Sequence, residues 1–190
     1  MTTLSKFGDV LPQLLKYKLV IWDFDGVIKD SVEPKSIAYT DLFGKIDSKI
    51  KKKIENHHYQ NGGISRYKKI PLYLSFNNIY PNDENINLYV NKFSNIVVKK
   101  VIESQWVPGM PTILKLLNEM SISKNIIISA TPQTEIEFIV KELDIAKYFT
   151  EIVGTSDNKS KHISRLIKSN SVLPSECVFI GDSFSDYKES

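Results

Sequence analysis

The stretch from Leu19 to Ser31 is the feature that most constrains the fold of this 190-residue chain. It begins with four consecutive apolar residues, three of them β-branched or aromatic, which predicts a strand buried on both faces of a parallel sheet. Asp23 and Asp25 follow, and Gly26 then allows a sharp turn. Alternate residues of an extended strand point the same way, so we expect both carboxylates on one face at the strand's carboxyl end, where open α/β sheets hold their ligands.

Two carboxylates this close together repel each other unless a cation neutralises them. A divalent ion that prefers oxygen ligands, such as Mg²⁺, is the simplest neutralising cation, so the pair predicts a magnesium site. The alternative is a structural role, because Asp-x-Asp pairs are common in turns and helix caps, where Asp accepts backbone hydrogen bonds. The buried strand before the pair and the glycine after it favour the functional interpretation.

The composition predicts a globular protein with one substantial core, or one core with a small insertion, because 42% of the residues are apolar and 25% are charged. The net charge of +3 is too small to indicate a nucleic-acid partner. No apolar segment approaches the roughly 20 residues of a membrane span, so we expect no membrane partner. The single cysteine, Cys177, excludes an internal disulfide and favours a reducing compartment, so we expect a cytoplasmic location. Nothing in the sequence indicates the oligomeric state.

The first half of the chain is predicted to be mainly helical. Apolar residues at helical spacing predict an amphipathic helix over residues 4–18, which Pro12 starts or breaks. From residue 33 to 105 the apolar period is helical and no strand is predicted, so we expect an α-helical cap inserted between the two parts of a core, 1–32 and 106–190. The helices predicted in this insertion are Ile37–Phe43, Ile46–His58, Lys68–Phe76 and Asn85–Glu103.

The second half alternates strands with helices, which is typical of a doubly wound parallel sheet in an α/β protein. The predicted elements are a helix that starts at Ile113, a strand over Asn125–Ile128, a helix over Thr134–Leu143, a strand over Glu151–Gly154, a helix over Lys161–Lys168 and a strand over Cys177–Ile180. We therefore expect a Rossmann-like core with the ends of several strands gathered at one edge.

The segment from Asp23 to Ser31 resembles the first motif of the haloacid dehalogenase-like hydrolase superfamily, Asp-x-Asp-Gly after a strand. Later segments resemble the other motifs in the same order: Ser129-Ala130-Thr131-Pro132, a lysine at 159 or 161, and Gly181-Asp182-Ser183-x-x-Asp186. The superfamily's first type of cap is inserted directly after the first motif, where the helical insertion is predicted here. The resemblance thus extends to the architecture.

The resemblance implies a Mg²⁺-dependent phosphatase. In such an enzyme Asp23 would attack the substrate phosphorus and form an aspartyl-phosphate. Asp25 would protonate the leaving alkoxide and later take a proton from the attacking water. The Ser129 hydroxyl and the Ala130 amide would hold the phosphoryl oxygens, next to the turn at Gly26.

The resemblance also implies a lysine and a metal site. A lysine must balance the charge of the phosphoryl group and the carboxylates, and it is either Lys161 or Lys159. Lys161 is favoured because its spacing to the apolar residues that follow matches the superfamily's lysine at the head of this helix. Asp182 would complete the Mg²⁺ site with Asp23 and the backbone carbonyl of Asp25, and Asp186 would orient water bound to the metal.

The substrate is indicated by the predicted cap. The segment Gly63-Ile64-Ser65-Arg66 resembles the Gly-x-Ser-Arg segment with which beta-phosphoglucomutase-like members recognise substrate, so we expect Ser65 and Arg66 at the substrate and Arg66 as a bidentate anion clamp. The adjacent histidines at 57 and 58 favour packing or substrate contact over a metal site, because neighbours on a helix point in different directions. A small phosphorylated metabolite, either a sugar phosphate or a phosphoglycolate-like acid, is the expected substrate.

Two alternatives to a phosphatase remain open. Beta-phosphoglucomutase has a histidine where this chain has Lys35, and the fourth motif here has the form typical of phosphatases, so a phosphatase is favoured over a phosphosugar mutase. A non-catalytic binding protein on the same fold is the other alternative, because the sequence ends four residues after Asp186. Superfamily members normally continue with a helix and another strand, so we expect a truncated C-terminus: either the sequence is a fragment, or the protein lacks the last part of its sheet.

Overall fold

A four-stranded parallel sheet forms the centre of the molecule in the computed structural model, which describes residues 10–154 and 158–190. The strands are β1 (Leu19–Trp22), β4 (Lys124–Ser129), β5 (Glu151–Gly154) and β6 (Cys177–Ile180), in the spatial order β5-β4-β1-β6. Every pairing within it is parallel. The predicted parallel sheet of an α/β fold is therefore confirmed.

Strand β1 lies between β4 and β6, and all of its residues are buried. Leu19 and Ile21 belong to one apolar cluster, which includes Leu166 of the helix Lys159–Ser169. Val20 and Trp22 belong to the other, which extends away from the sheet. This alternation explains the uninterrupted apolar run, because a central strand of a sheet covered on both faces has no solvent-facing side.

Helices flank this sheet and begin at recognisable positions. They are α1 (Val10–Leu14), α6 (Met110–Met120), α7 (Gln133–Glu142), α8 (Lys159–Ser169) and α9 (Phe184–Glu189), with 3₁₀ turns at Ala146–Tyr148 and Pro174–Glu176. Of the helix predicted over residues 4–18, only 10–14 is helical in the described part, and residues 4–9 lie outside the described residues. Helix α8 begins two residues earlier than predicted, because the Asn158 side chain caps it by accepting a hydrogen bond from the Ser160 amide at 2.7 Å.

The helices between β1 and β4 that we call the cap helices are α2 (Val32–Asp41), α3 (Ser48–Gln60), α4 (Arg66–Phe76) and α5 (Asp83–Glu103). Each of the helices predicted here is present. Helix α2 begins five residues before the predicted position, since Pro34 fits the first turn of a helix and does not break it. Caps at Asp47, Ser65 and Asn82 start the other three.

A short antiparallel ladder joins the two connections of the cap helices. Strand β2 (Lys29–Asp30) pairs with β3 (Gln105–Trp106), and neither strand is predicted from the sequence, which predicts only helices over residues 33–105. Two-residue strands are too short to show a period in the sequence. The Lys29 ammonium is buried there, donates to the Ile102 carbonyl oxygen at 3.1 Å and lies over the Trp106 ring.

The interior of the cap helices is aromatic and is continuous with the core below them. Tyr39 of α2 stacks on Phe93 of α5, with 4.1 Å between ring centroids, and meets Tyr73 of α4 edge to face. These rings belong to the same apolar cluster as Trp22 of β1. None of the described helices is both long enough and apolar enough to cross a membrane.

Candidate active site

A pocket of about 460 Å³ lies between the carboxyl ends of the strands and the cap helices, a volume within the range of small-molecule sites. Its core side includes Asp23, Asp25, Ala130, Thr131 and Asp182, and its cap side includes Lys35, Tyr39, His58, Arg66 and Lys69. The two sides thus differ in charge: the carboxylates lie on the core side, and the lining cations other than the exposed Lys188 of α9 lie on the cap side.

Three carboxylates from distant parts of the sequence meet on the core side. Oxygens of Asp23, Asp182 and Asp186 lie within 4.8 Å of one another. Burial, reinforced by the neighbouring carboxylates, raises the pKa of Asp23 to about 7 even though Lys159 opposes this rise. Burial and the charge of Asp186 also raise the pKa of Asp182. Negative charge therefore exceeds positive charge in this cluster, and its oxygen donors suit a divalent cation.

Gly26 makes the approach of Asp182 to the first motif possible. It has a φ of +77°, and a Cβ atom there would lie 2.1 Å from Oδ2 of Asp182. Any other residue would have to displace this carboxylate. The structure thus places Gly26 against the metal-ligand candidate Asp182, and the turn brings segments near the two ends of the described chain together.

The Asp25 carboxylate is not part of this three-carboxylate cluster. It accepts a hydrogen bond from the Ser31 hydroxyl at 2.6 Å and an ion-paired contact from the Lys35 ammonium. Burial would raise the pKa of Asp25, but Lys35 and Ser31 together hold it below its ordinary value. Only the backbone carbonyl of Asp25 is left to serve the predicted metal site.

Lys35 is a residue of the pocket that sequence reasoning did not place there. Its ammonium contacts Asp25 and donates to the Thr131 hydroxyl at 3.0 Å, so it joins the first motif to the turn after β4. The Lys35 amide bonds to the Ser31 carbonyl oxygen at 2.9 Å, which sets it one helical turn after the motif. Lys35 is four residues after Ser31, so the helical spacing in the sequence could have placed its side chain next to the first motif.

The lysine beside the carboxylates is Lys159, and the preference for Lys161 is wrong on this point. The Lys159 ammonium lies 3.0 Å from Oδ1 of Asp23 and 2.6 Å from Oδ1 of Asp186, whereas Lys161 is exposed. Because α8 begins at Lys159, its first residue faces the strand ends, and a residue two positions later points elsewhere. Burial opposes the charge of Lys159, but the two carboxylates raise its pKa above the ordinary value, so it remains an ammonium.

Ser129 lies at the end of β4, as predicted, and is completely buried. Its hydroxyl accepts a hydrogen bond from the Thr131 amide at 3.1 Å. Ala130 and Thr131 line the pocket, and Ser129 is not among the lining residues. The structure therefore presents the turn after β4 to the pocket, with Ser129 supporting it from below.

Arg66 lines the pocket but does not have a free guanidinium. It forms a bidentate ion pair with Glu135 of α7 at 2.7 and 2.8 Å, and it lies 4.8 Å from the centre of the Phe93 ring. Ser94 donates to the same carboxylate at 2.6 Å. Ser65 caps α4 and is not among the residues lining this pocket. The predicted anion clamp is thus already occupied by a carboxylate of the protein, and this contact joins a cap helix to the core.

Lys69 and His58 form a buried pair on the cap side that the sequence analysis did not identify. The Lys69 ammonium lies 3.1 Å from Nδ1 of His58, and Nε2 of His58 lies 3.2 Å from the Val32 carbonyl oxygen. Burial, reinforced by nearby lysines, lowers the pKa of His58 to about 3 and that of Lys69 to about 7. The signal was present, because Lys69 shares a helical face with the buried residues Arg66, Ile70 and Tyr73.

Comparison with known families agrees with this geometry. Residues 20–190 match the family described as haloacid dehalogenase-like hydrolase, so the chain belongs to this family of enzymes. Comparison with curated proteins found no match.

Solved structures share the fold at low sequence identity. A protein from Haemophilus somnus 129pt described as a predicted phosphoglycolate phosphatase is 16% identical with a TM-score of 0.70, over 90% of this chain and 79% of the other. Beta-phosphoglucomutase from Clostridium difficile is 21% identical with a TM-score of 0.68, over 91% and 81%. A haloacid dehalogenase-like family hydrolase from Streptococcus pneumoniae is 20% identical with a TM-score of 0.67, over 92% and 80%.

Proposed function

We propose that this chain is a Mg²⁺-dependent phosphatase that hydrolyses a small phosphorylated metabolite, a sugar phosphate or a phosphoglycolate-like acid, through an aspartyl-phosphate on Asp23. The observation that carries the proposal is the position of the Asp23 carboxylate. It is buried at the pocket, 3.0 Å from the Lys159 ammonium and within 4.8 Å of the carboxylate oxygens of Asp182 and Asp186. The proposal includes a cap over residues 33–105 that covers this pocket.

The donor set fits magnesium. Mg²⁺ is held by few protein carboxylates and keeps several waters, and the candidates here are the carboxylates of Asp23 and Asp182, the carbonyl of Asp25 and, at the edge of the cluster, Asp186. Bound there, Mg²⁺ would reduce the repulsion between these carboxylates and an incoming phosphate dianion.

The residues of the chain divide the chemistry between two steps. In the first step an oxygen of Asp23 forms a bond to phosphorus, the bond from phosphorus to the leaving oxygen breaks, and Asp25 gives a proton to that oxygen. In the second step water attacks phosphorus, Asp25 takes a proton from it, and the bond to Asp23 breaks. The low pKa of Asp25 favours the ionised carboxylate, which the second step needs. The first step uses the smaller population of molecules in which Asp25 is protonated.

Other residues would hold the phosphoryl group and its charge. The Lys159 ammonium lies against Asp23 and Asp186, where it neutralises part of the charge that a phosphoryl group would add. Ala130 lines the pocket and its amide would bind a phosphoryl oxygen, with Ser129 fixing the turn by accepting from the Thr131 amide. The contacts of Ser31 and Lys35 hold the Asp25 carboxylate in one orientation.

A phosphosugar mutase is the second candidate function, because a solved beta-phosphoglucomutase has the same fold. Lys35, which stands where that enzyme class has a histidine and forms an ion pair with Asp25, favours the phosphatase. Conversion of a sugar 1-phosphate to the 6-phosphate without net phosphate release would establish the mutase instead.

The proposal is tested by phosphate release from a panel of phosphorylated metabolites, with Mg²⁺ or with a chelator. We expect release only with Mg²⁺, and we expect Asp23→Asn to lower kcat by at least about 10³-fold. Asp30→Asn is the matched control, because Asp30 belongs to the same segment and is exposed, so its activity should stay within about twofold of wild type. Activity that survives Asp23→Asn would refute the nucleophile and with it the mechanism.

A further inference from the structure

Lys69 differs from Lys35, Arg66 and Lys159, the other buried or half-buried cations in or beside the pocket, because no described carboxylate pairs with it. Lys188 also lines the pocket, but its side chain is exposed to solvent. Lys35 is paired with Asp25, Arg66 with Glu135, and Lys159 with two aspartates of the cluster. Lys69 is 2% exposed, lines the pocket and has His58 as its hydrogen-bond partner. The cap side of the pocket therefore contains a buried amine without a counter-ion from the described chain.

His58 orients Lys69 but supplies no negative charge. Its Nε2 donates to the Val32 carbonyl oxygen, which leaves a lone pair on Nδ1 to accept from Lys69. The imidazole is buried and neutral, and the Lys69 nitrogen lies over the Tyr39 ring, 5.9 Å from its centroid. Two of the three ammonium protons are thus available to a ligand in the pocket.

Burying a lysine without a carboxylate costs free energy, and a ligand that carries an anionic group would recover it. The proposed phosphoryl site lies at the opposite, core side of the same pocket, beside Asp23. In-line attack by Asp23 from the core side would place the leaving oxygen of a phosphate monoester opposite Asp23, toward the cap helices where Lys69 lies. The pocket of about 460 Å³ has room for such a leaving group.

We propose that Lys69, oriented by His58, binds a second anionic group on the leaving group of the substrate and so determines specificity. The inference rests on the proposed phosphatase function. The second group is a carboxylate or a second phosphate, since both present the oxygen acceptors that a lysine binds. The preferred substrates are therefore phosphorylated acids or bisphosphates, and neutral sugar or alcohol monophosphates are poor substrates.

The test uses two matched substrate pairs that differ only in the second charge. Phosphoglycolate is compared with 2-hydroxyethyl phosphate, and propane-1,3-diol bisphosphate with 3-hydroxypropyl phosphate. We expect the anionic member of one pair to have a kcat/KM at least about tenfold higher, which also shows which source of charge is recognised. In Lys69→Met this ratio should fall at least about tenfold, mainly through KM, and Lys69→Arg should recover part of it.

Lys68→Met is the matched control, because Lys68 is adjacent in α4 but exposed, and it should keep the wild-type ratio. Thermal melting of each variant verifies folding. An equal ratio for wild type and Lys69→Met, or no preference for either anionic member, would overturn the inference.

Two measurements distinguish an error in the proposed phosphatase function from an error in the role given to Lys69. Hydrolysis of p-nitrophenyl phosphate that depends on Asp23 shows that the phosphatase stands whatever the role of Lys69. If no ester is hydrolysed, calorimetric binding of phosphoglycolate and 2-hydroxyethyl phosphate to wild type and Lys69→Met still tests the inference. Equal affinities of the two proteins for phosphoglycolate would then contradict it.

Discussion

The two sides of the pocket are built in different ways. The core side is acidic, and its carboxylates come from short segments that follow the buried strand β1 and the half-buried strand β6, where the backbone sets the position of each side chain. The cap side is basic, and its cations are spread over helices, where the packing of the helix decides which side chain faces inward. The positions of the proposed catalytic carboxylates are therefore encoded locally, whereas the proposed recognition of the leaving group depends on how the cap helices pack.

The largest effect is expected from removing the lysine on the acidic side. Lys159→Met leaves Asp23 and Asp186 without their shared cation, and we expect kcat to fall about 10²–10³-fold. Lys161→Met is the matched control in the same helix, and its activity should stay within about twofold, because this side chain is exposed. Phosphate release measures both variants. A larger loss in Lys161→Met would reverse the assignment.

The site was predictable from sequence where it follows strands. Asp23 and Asp182 follow the apolar runs of β1 and β6, so the ends of these parallel strands had to bring them to one edge. Lys159 was missed because a two-residue difference in the start of α8 decides which lysine faces inward, although Asn158 is a readable cap. The partnership of Arg66 with Glu135 could not be predicted, because it joins helices 69 residues apart through packing that no local pattern records.

The ion pair between Arg66 and Glu135 is the next largest test, since it joins the basic side to the core. Glu135→Gln leaves a guanidinium that is 3% exposed without its counter-ion, and we expect a loss of about 3 kcal/mol in the free energy of unfolding. Denaturant unfolding measures this loss. Glu103→Gln removes an exposed partner of Lys99 and should change stability by less than about 0.5 kcal/mol. If both substitutions changed the free energy of unfolding equally, the ion pair between Arg66 and Glu135 would contribute no more than an exposed pair, which would contradict its burial.

A smaller effect is expected at the turn that allows the acidic cluster to form. Gly26→Ala must displace Asp182, so the Mg²⁺ concentration for half-maximal activity should rise about tenfold. Gly44→Ala is the control, because Gly44 also has a positive φ, +66°, but a Cβ there meets nothing within 4 Å. Both variants should lose about 1 kcal/mol of stability from backbone strain. If Gly44→Ala raises the Mg²⁺ concentration for half-maximal activity as much as Gly26→Ala does, displacement of Asp182 is not the cause of the change.

The smallest effect concerns stability on the basic side. Because burial lowers the pKa of Lys69 to about 7, the unfolded chain binds more protons than the folded one between pH 7 and the ordinary lysine value. The cost of burying this amine is therefore greatest at and below pH 7 and disappears as the pH rises toward 10.5. Lys69→Met should exceed wild type by about 1–2 kcal/mol at pH 6, and the difference should shrink at alkaline pH. Thermal or denaturant melts across this range, with Lys68→Met as control, check the sign; a difference that grows with pH would contradict it.

The central claim is that Asp23 accepts a phosphoryl group in a site completed by Mg²⁺. Beryllofluoride imitates a phosphoryl group bound to a carboxylate, so its effect on the melting temperature tests this claim directly. We expect beryllofluoride and Mg²⁺ together, and neither alone, to raise the melting temperature of wild type by at least about 3 °C and to leave that of Asp23→Asn unchanged. No rise in wild type, or the same rise in Asp23→Asn, would contradict the account.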